Sequence, residues 1–226
     1  MHTPPTRTWS LAGAVWLFVL VLPLSLAVSG CAGAGWLADG LTPGSQTVNV
    51  EAEYLGLEGQ TVAVMVDTDI SIAMAQPLAQ LEVATVIAQR IADNVEGVTV
   101  RDPQDVVQFQ EHNIYWTTMR YTTLMERLEV DRLVIVELVD YRLHEPGNVN
   151  IWRGLMTANV GVVEADSDSP NDQVYATTVT AQYPPDGEIG LLNADEQTMR
   201  LATLDRFSQH VAGKFYNHEQ ERQRRR

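Results

Sequence analysis

Val130-Asp131-Arg132-Leu133-Val134-Ile135-Val136-Glu137-Leu138-Val139 divides the chain into two halves of different pattern. The apolar run behind Asp131 reads as a strand. Upstream of it strands alternate with helices. Thr61-Val62-Ala63-Val64-Met65-Val66 is apolar enough for an interior strand. Pro77 to Val95 has Leu78, Leu81, Ala84, Ala88, Ile91 and Val95 at helical spacing, with Pro77 suited to a first turn and Gly97 as the stop. Val98-Thr99-Val100 is a short strand, and Asp102-Pro103 with Asp105 opens a helix to about His112. Tyr121, Leu124, Met125 and Leu128 give Trp116 to Leu128 one apolar helical face.

Downstream the period changes to two. Ile151 to Glu164 and Val174 to Tyr183 are β-rich and joined to their predecessors by Glu145-Pro146-Gly147-Asn148 and by Asp166 to Asp172, so three consecutive strands predict an antiparallel meander. Pro184-Pro185-Asp186-Gly187 ends it. Asn193 or Asp195 caps a last helix with Met199, Phe207, Val211 and Phe215 along one stripe, reaching about Tyr216. Before all this, Val48, Val50, Ala52 and Tyr54 alternate with polar neighbours as on a half-buried strand. The expectation is an α/β fold: a mixed sheet, βαβα followed by a meander, packed by amphipathic helices and closed by a C-terminal helix.

The first residues carry an address. Met1 to Ser10 is polar with one cation, Arg7, Leu11 to Val28 is apolar, and Ser29 and Gly30 precede Cys31, the chain's single cysteine. The apolar stretch sits at the lower limit for spanning a bilayer, so an uncleaved anchor is the alternative that Cys31 has to decide. Leu26-Ala27-Val28-Ser29-Gly30-Cys31 resembles a lipobox, with Val28 where Leu is commoner. That resemblance implies cleavage between Gly30 and Cys31, a diacylglycerol thioether on the Cys31 thiol and acylation of the new amino terminus. Two or three chains at about 0.8 kcal/mol per buried methylene hold a domain on a membrane without a spanning helix. Ala32, in place of the aspartate that marks inner-membrane retention, implies the outer membrane facing the periplasm. The segments are then residues 1–30 as signal, 31–47 as lipidated tether rich in Gly, Ala, Ser and Pro, 48–217 as one domain and 218–226 as a charged tail.

Without residues 1–30 the chain has 196 residues and its net charge moves from −14 to −15, since Arg7 is the one charge removed. A chain of that size buries about 70% of its unfolded surface and needs no disulfide or structural metal. Its acidity argues against nucleic acid as a partner, because phosphate contacts need clustered Lys and Arg. Arg222, Arg224, Arg225 and Arg226 form the one basic cluster and read as a solvated terminus.

The order of elements carries a second resemblance. Val62 to Val66, then Asn94-Val95-Glu96-Gly97-Val98-Thr99-Val100-Arg101-Asp102, then Val130 to Leu138 and the meander resemble the envelope lipoproteins on the fold shared by the CsgG secretion channel, the LpoB activator of peptidoglycan synthases, the PelC ring lipoprotein and the amino-terminal domain of TolB. It covers about Val48 to Tyr216. It implies assembly, scaffolding or activation of a protein partner, admits a homo-oligomer, and transfers no site residue, because the group has no common active site. The channel's membrane-spanning insertions have no counterpart here.

Candidate chemistry is sparse. Val64-Met65-Val66-Asp67-Thr68-Asp69 resembles the first motif of haloacid-dehalogenase-type phosphatases, in which Asp67 would be nucleophile and Asp69 general acid beside magnesium. The single lysine, Lys214, lies in the last helix with no Asp after it, and the meander leaves little room for the remaining parallel strands. His112, His144, His210 and His218 match no helix-borne metal spacing; His210 and His218 are eight apart, as on one exposed face. Asp166-Ser167-Asp168-Ser169-Pro170-Asn171-Asp172 lacks the closing Glu of a calcium loop and reads as a solvated hairpin tip. Trp36 suits a bilayer interface, and Trp116 and Trp152 the core or a sheet face. No cofactor, metal or catalytic set is expected. The leading expectation is a membrane-anchored module that binds a protein partner. The rivals are a ligand- or lipid-binding transporter subunit, which needs an apolar pocket between the meander and the last helix, and the phosphatase.

Overall fold

In the computed structural model, residues 47–185 and 190–221 are described. Gly30 and Cys31, the signal, nearly all of the tether, Asp186-Gly187 of the closing turn and the arginine-rich 222–226 lie outside the described residues.

The strand around Val134 sits at the centre of the sheet. It runs from Arg132 to Glu145 as β4, between β2 (Thr61–Thr68) and β5 (Asn148–Glu164), in the strand order β3-β2-β4-β5-β6. β2 pairs in parallel with β3 (Thr99–Val100) and with β4, whereas β4, β5 and β6 (Tyr175–Tyr183) are antiparallel. The mixed sheet and its meander are as the sequence predicts. β4 and β5 are longer than expected because Pro146-Gly147 closes them in a tight turn, with Gly147 at φ 78°, a conformation that a Cβ disfavours.

Residue alternation assigns the two sheet faces. Val62, Val64, Val66, Val134, Val136, Met156, Ala158 and Val160 meet α2 (Ala79–Asn94) and α5 (Glu196–Ala212) through Val83, Ile87, Ile91, Met199, Leu204, Phe207 and Val211. On the other face Ala63, Met65, Leu133 and Val163 meet α3 (Pro103–His112) and α4 (Tyr121–Leu128) through Val106, Leu124, Met125 and Leu128. Each fully buried aliphatic or aromatic side chain contributes about 1.5–3 kcal/mol relative to exposure. The second helical layer stops at β4, so Glu137, Asn159, Thr178 and Thr180 look out from an uncovered part of the sheet.

Several boundaries differ from the sequence reading. A six-residue helix, α1 (Ile70–Ala75), precedes α2, because Asp69 caps it and Gln76, ahead of Pro77, is pushed to an extended φ of −135° and ends it. Trp116 to Leu128 is a short 3-10 turn at Trp116–Thr118 and then α4, separated where Met119 turns extended at ψ 152°. The half-buried strand expected over Val48–Tyr54 is only β1 (Thr47–Val50), and it joins β7 (His218–Glu221) in a separate two-stranded sheet. Residues 218–221 are therefore strand rather than charged tail, and α5 ends at Ala212, although Phe215 stays buried.

Candidate functional site

The carboxyl ends of the parallel strands are where an open α/β sheet places ligands, and Asp67 and Asp69 lie there. The structure gives them separate tasks. Asp69 caps α1, accepting from Ile72 N at 2.9 Å and from Ser71 Oγ at 2.7 Å, and these bonds hold its pKa below the usual carboxylate value. Asp67 stands in register with Glu137 on the neighbouring strand; partial burial, then the Glu137 charge, raises its pKa, while a bond from the Thr68 N–H opposes the rise. Gln80 and Gln110 both donate through Nε2 to Val66 O at 3.0 Å, tying α2 and α3 to the end of β2. The pair expected to work together is thus divided between a helix cap and a sheet face.

The histidines are dispersed. His112 lies 2.7 Å through Nδ1 from Gln108 O, and His144 stacks on Trp152 with ring centroids 4.0 Å apart. His210 and His218 do not share a helical face, since His218 belongs to β7; both border one groove. Among the described residues no group of three or more His, Cys, Asp or Glu is placed to hold a metal. The Asp166 to Asp172 loop is more than a solvated tip: Asp166 accepts from Arg132 Nη1 at 2.6 Å, and Asn171 Oδ1 accepts from Thr122 N at 3.2 Å. Between the sheet and α5 the space a ligand carrier would need is filled by Met156, Met199, Phe207 and Phe215, each fully buried.

One surface groove was not legible in the sequence. A groove of about 280 Å³ runs between the outer side of β6 and the β1–β7 sheet, bordered by Val50, Glu53, Thr178, Thr180, His210 and Lys214. Its walls are locked. Glu53 N and Tyr54 N donate to Lys214 O at 2.9 and 3.0 Å, and Asn217 Oδ1 accepts from Ala52 N at 2.8 Å. The Glu53 carboxylate accepts from Lys214 Nζ at 2.5 Å and from Tyr175 OH at 2.7 Å, and these bonds lower its pKa. Tyr54, Tyr175 and Phe215 pack against one another, with ring centroids 5.7 to 6.2 Å apart. His210 Nδ1 lies 3.1 Å from Thr180 O, to which it donates as the Nδ1–H tautomer; burial, then the cations Arg206 and Lys214, lowers its pKa. These residues come from three separate stretches of chain, so no local motif marks them.

No family model matches the chain, and no curated protein matches it. Solved structures do. A PelC dodecamer from Paraburkholderia phytofirmans matches with 8% identity over 76% of this chain and 97% of that one, at a TM-score of 0.46. Lipoprotein GNA1162 from Neisseria meningitidis matches with 11% identity over 63% and 91% of the two chains, at 0.36. The protein CT253 from Chlamydia trachomatis matches with 14% identity over 73% and 98%, at 0.43. The chain is thus distantly similar in its arrangement to proteins that include bacterial lipoproteins.

Proposed function

We propose that this protein is an envelope lipoprotein that works by holding an α/β binding domain against a protein partner. Cys31 carries the lipid after cleavage at Gly30-Cys31, residues 32–46 act as the tether, and the body from Thr47 onward meets the partner on the periplasmic side of the outer membrane. The observation that carries the reading is Leu26-Ala27-Val28-Ser29-Gly30-Cys31, at the end of an apolar run and ahead of a folded body whose first described strand starts at Thr47. The engagement of Asp69 as a helix cap and the filled space beneath α5 favour binding over phosphatase chemistry or ligand carriage.

The test is Cys31→Ala with radiolabelled palmitate and membrane fractionation. The wild-type chain is expected to take up label and sediment with outer membranes, and the variant to lose the label. Label that persists in the variant would overturn the anchor.

A further inference from the structure

We propose that the outer edge of β6 is a docking site for one extended segment of a partner protein, which adds a sixth strand to the sheet beside β6. This rests on the partner-binding reading above and names its surface. β6 is the terminal strand, nine residues long, whereas the opposite edge strand, β3, has two. The Thr180 carbonyl meets the His210 ring instead of β5. In an antiparallel strand the N–H and C=O of one residue point to the same side, and the side alternates along the chain. Thr178 and Gln182 therefore also turn their backbone groups outward, where no described strand receives them.

Natural sheet edges of this length are usually blocked by Lys, Pro or a charged residue. Tyr175-Ala176-Thr177-Thr178-Val179-Thr180-Ala181-Gln182-Tyr183 contains none. Strands pair about 4.8 Å apart, so an added strand lies directly in the groove. There it runs along Thr178 to Thr180, displacing the His210 ring from the Thr180 carbonyl, passes Gly213 and faces Val50 to Glu53. A second copy offering its own β6 would bring the same wall of residues 50–53 and 213–218 with it, so the occupant that fits is a lone segment. Its charge follows from the wall. Glu53 is already engaged by Lys214 and Tyr175, but exposed Glu51 has no ion-pair partner among the described residues, and the surface as a whole is acidic. A Lys or Arg in the segment opposite Glu51 completes the fit.

The experiment pans a random peptide library displayed on phage against the full chain in detergent, then adds selected synthetic peptides to the labelled protein and follows amide exchange. Peptides with a basic residue are expected, slowing exchange at Thr178 and Gln182 about tenfold or more. The same peptides N-methylated at alternate residues should lose the effect, because their edge-facing donors are gone. Glu51→Lys should weaken binding severalfold without shifting the unfolding midpoint, and Thr178→Pro should abolish it. A library that yields no binder, exchange slowed at other amides only, or equal slowing by the N-methylated peptides would overturn the proposal. So would protection that appears without peptide and tracks formation of a dimer. None of these outcomes depends on lipid: loss of the anchor with Thr178 protected sinks only the anchor, and an unchanged Thr178 with the anchor intact sinks only the edge.

Discussion

Asp67 and Asp69 are two residues apart and titrate in opposite directions. The raised pKa of Asp67 means that its folded-state contribution is favourable below the unfolded value near 4 and is lost as pH rises through the folded value. Asp67→Asn is therefore expected to raise the urea midpoint at neutral pH, with the difference vanishing below about pH 4. A lower midpoint at neutral pH would show that the charge is held favourably after all. Glu53, Asp69, Asp166 and Asp195 behave oppositely: bonds from Lys214, Ser71, Arg132 and Thr198 respectively are the largest influence on each and lower its pKa. Their stabilisation is present above the unfolded carboxylate range and lost as pH falls through their lowered values, so wild-type midpoints should decline steeply only below about pH 4. A midpoint flat through that range would contradict these pairings. At this scale the sequence marked the cap at Asp102 and offered Asn193 or Asp195 for the last helix, of which the structure uses Asp195, because capping is local. It did not reveal that Asp166 anchors Arg132, since 34 residues separate them.

Among the elements, α5 depends on one absent side chain. A Cβ at Gly154 of β5 would lie 1.8 Å from Thr203 Oγ1 and 2.9 Å from Thr203 Cβ, so Gly154 is what lets α5 approach the sheet. Gly154→Ala should cost about 1–3 kcal/mol through overpacking. Adding Thr203→Ala should recover part of that loss, because it removes the nearest atom and leaves the 2.9 Å approach to Cβ. If the double variant is the sum of the two single ones in chemical denaturation, the close approach is not the cause. Periodicity in the sequence identified α2, α4 and α5, and capping residues identified α3, but the face assigned to α2 was partly wrong: Leu78 is exposed, whereas Val83 and Ile87, outside the expected stripe, are buried. Periodicity missed α1, whose six residues are too few for a helical repeat to show, and it ran α5 on to Tyr216 because Phe215 keeps the apolar spacing after the helix has ended.

For the whole molecule, the buried core extends from Leu57 to Phe215. Removing residues 1–46 should leave the thermal midpoint within about 2 °C of the longer chain and unfolding cooperative. A larger drop would mean that residues 1–46 contribute to the fold. With a net charge of −15 once residues 1–30 are gone, association with a basic partner should slow as salt rises, read as a falling on-rate at constant temperature.

The amino-acid order alone determined the class of fold, the switch from parallel to antiparallel pairing at Asp131 to Val139 and the lipobox-like Cys31, because these are written in local composition and in periods of two and 3.6 residues. Only the tertiary structure decided which strand became the open edge, that β1 would leave the main sheet for β7, and that Glu53, Thr180, His210 and Lys214 would border one groove. Strand order and the meeting of distant segments depend on which apolar faces bury one another across the whole chain, and no local pattern records that choice.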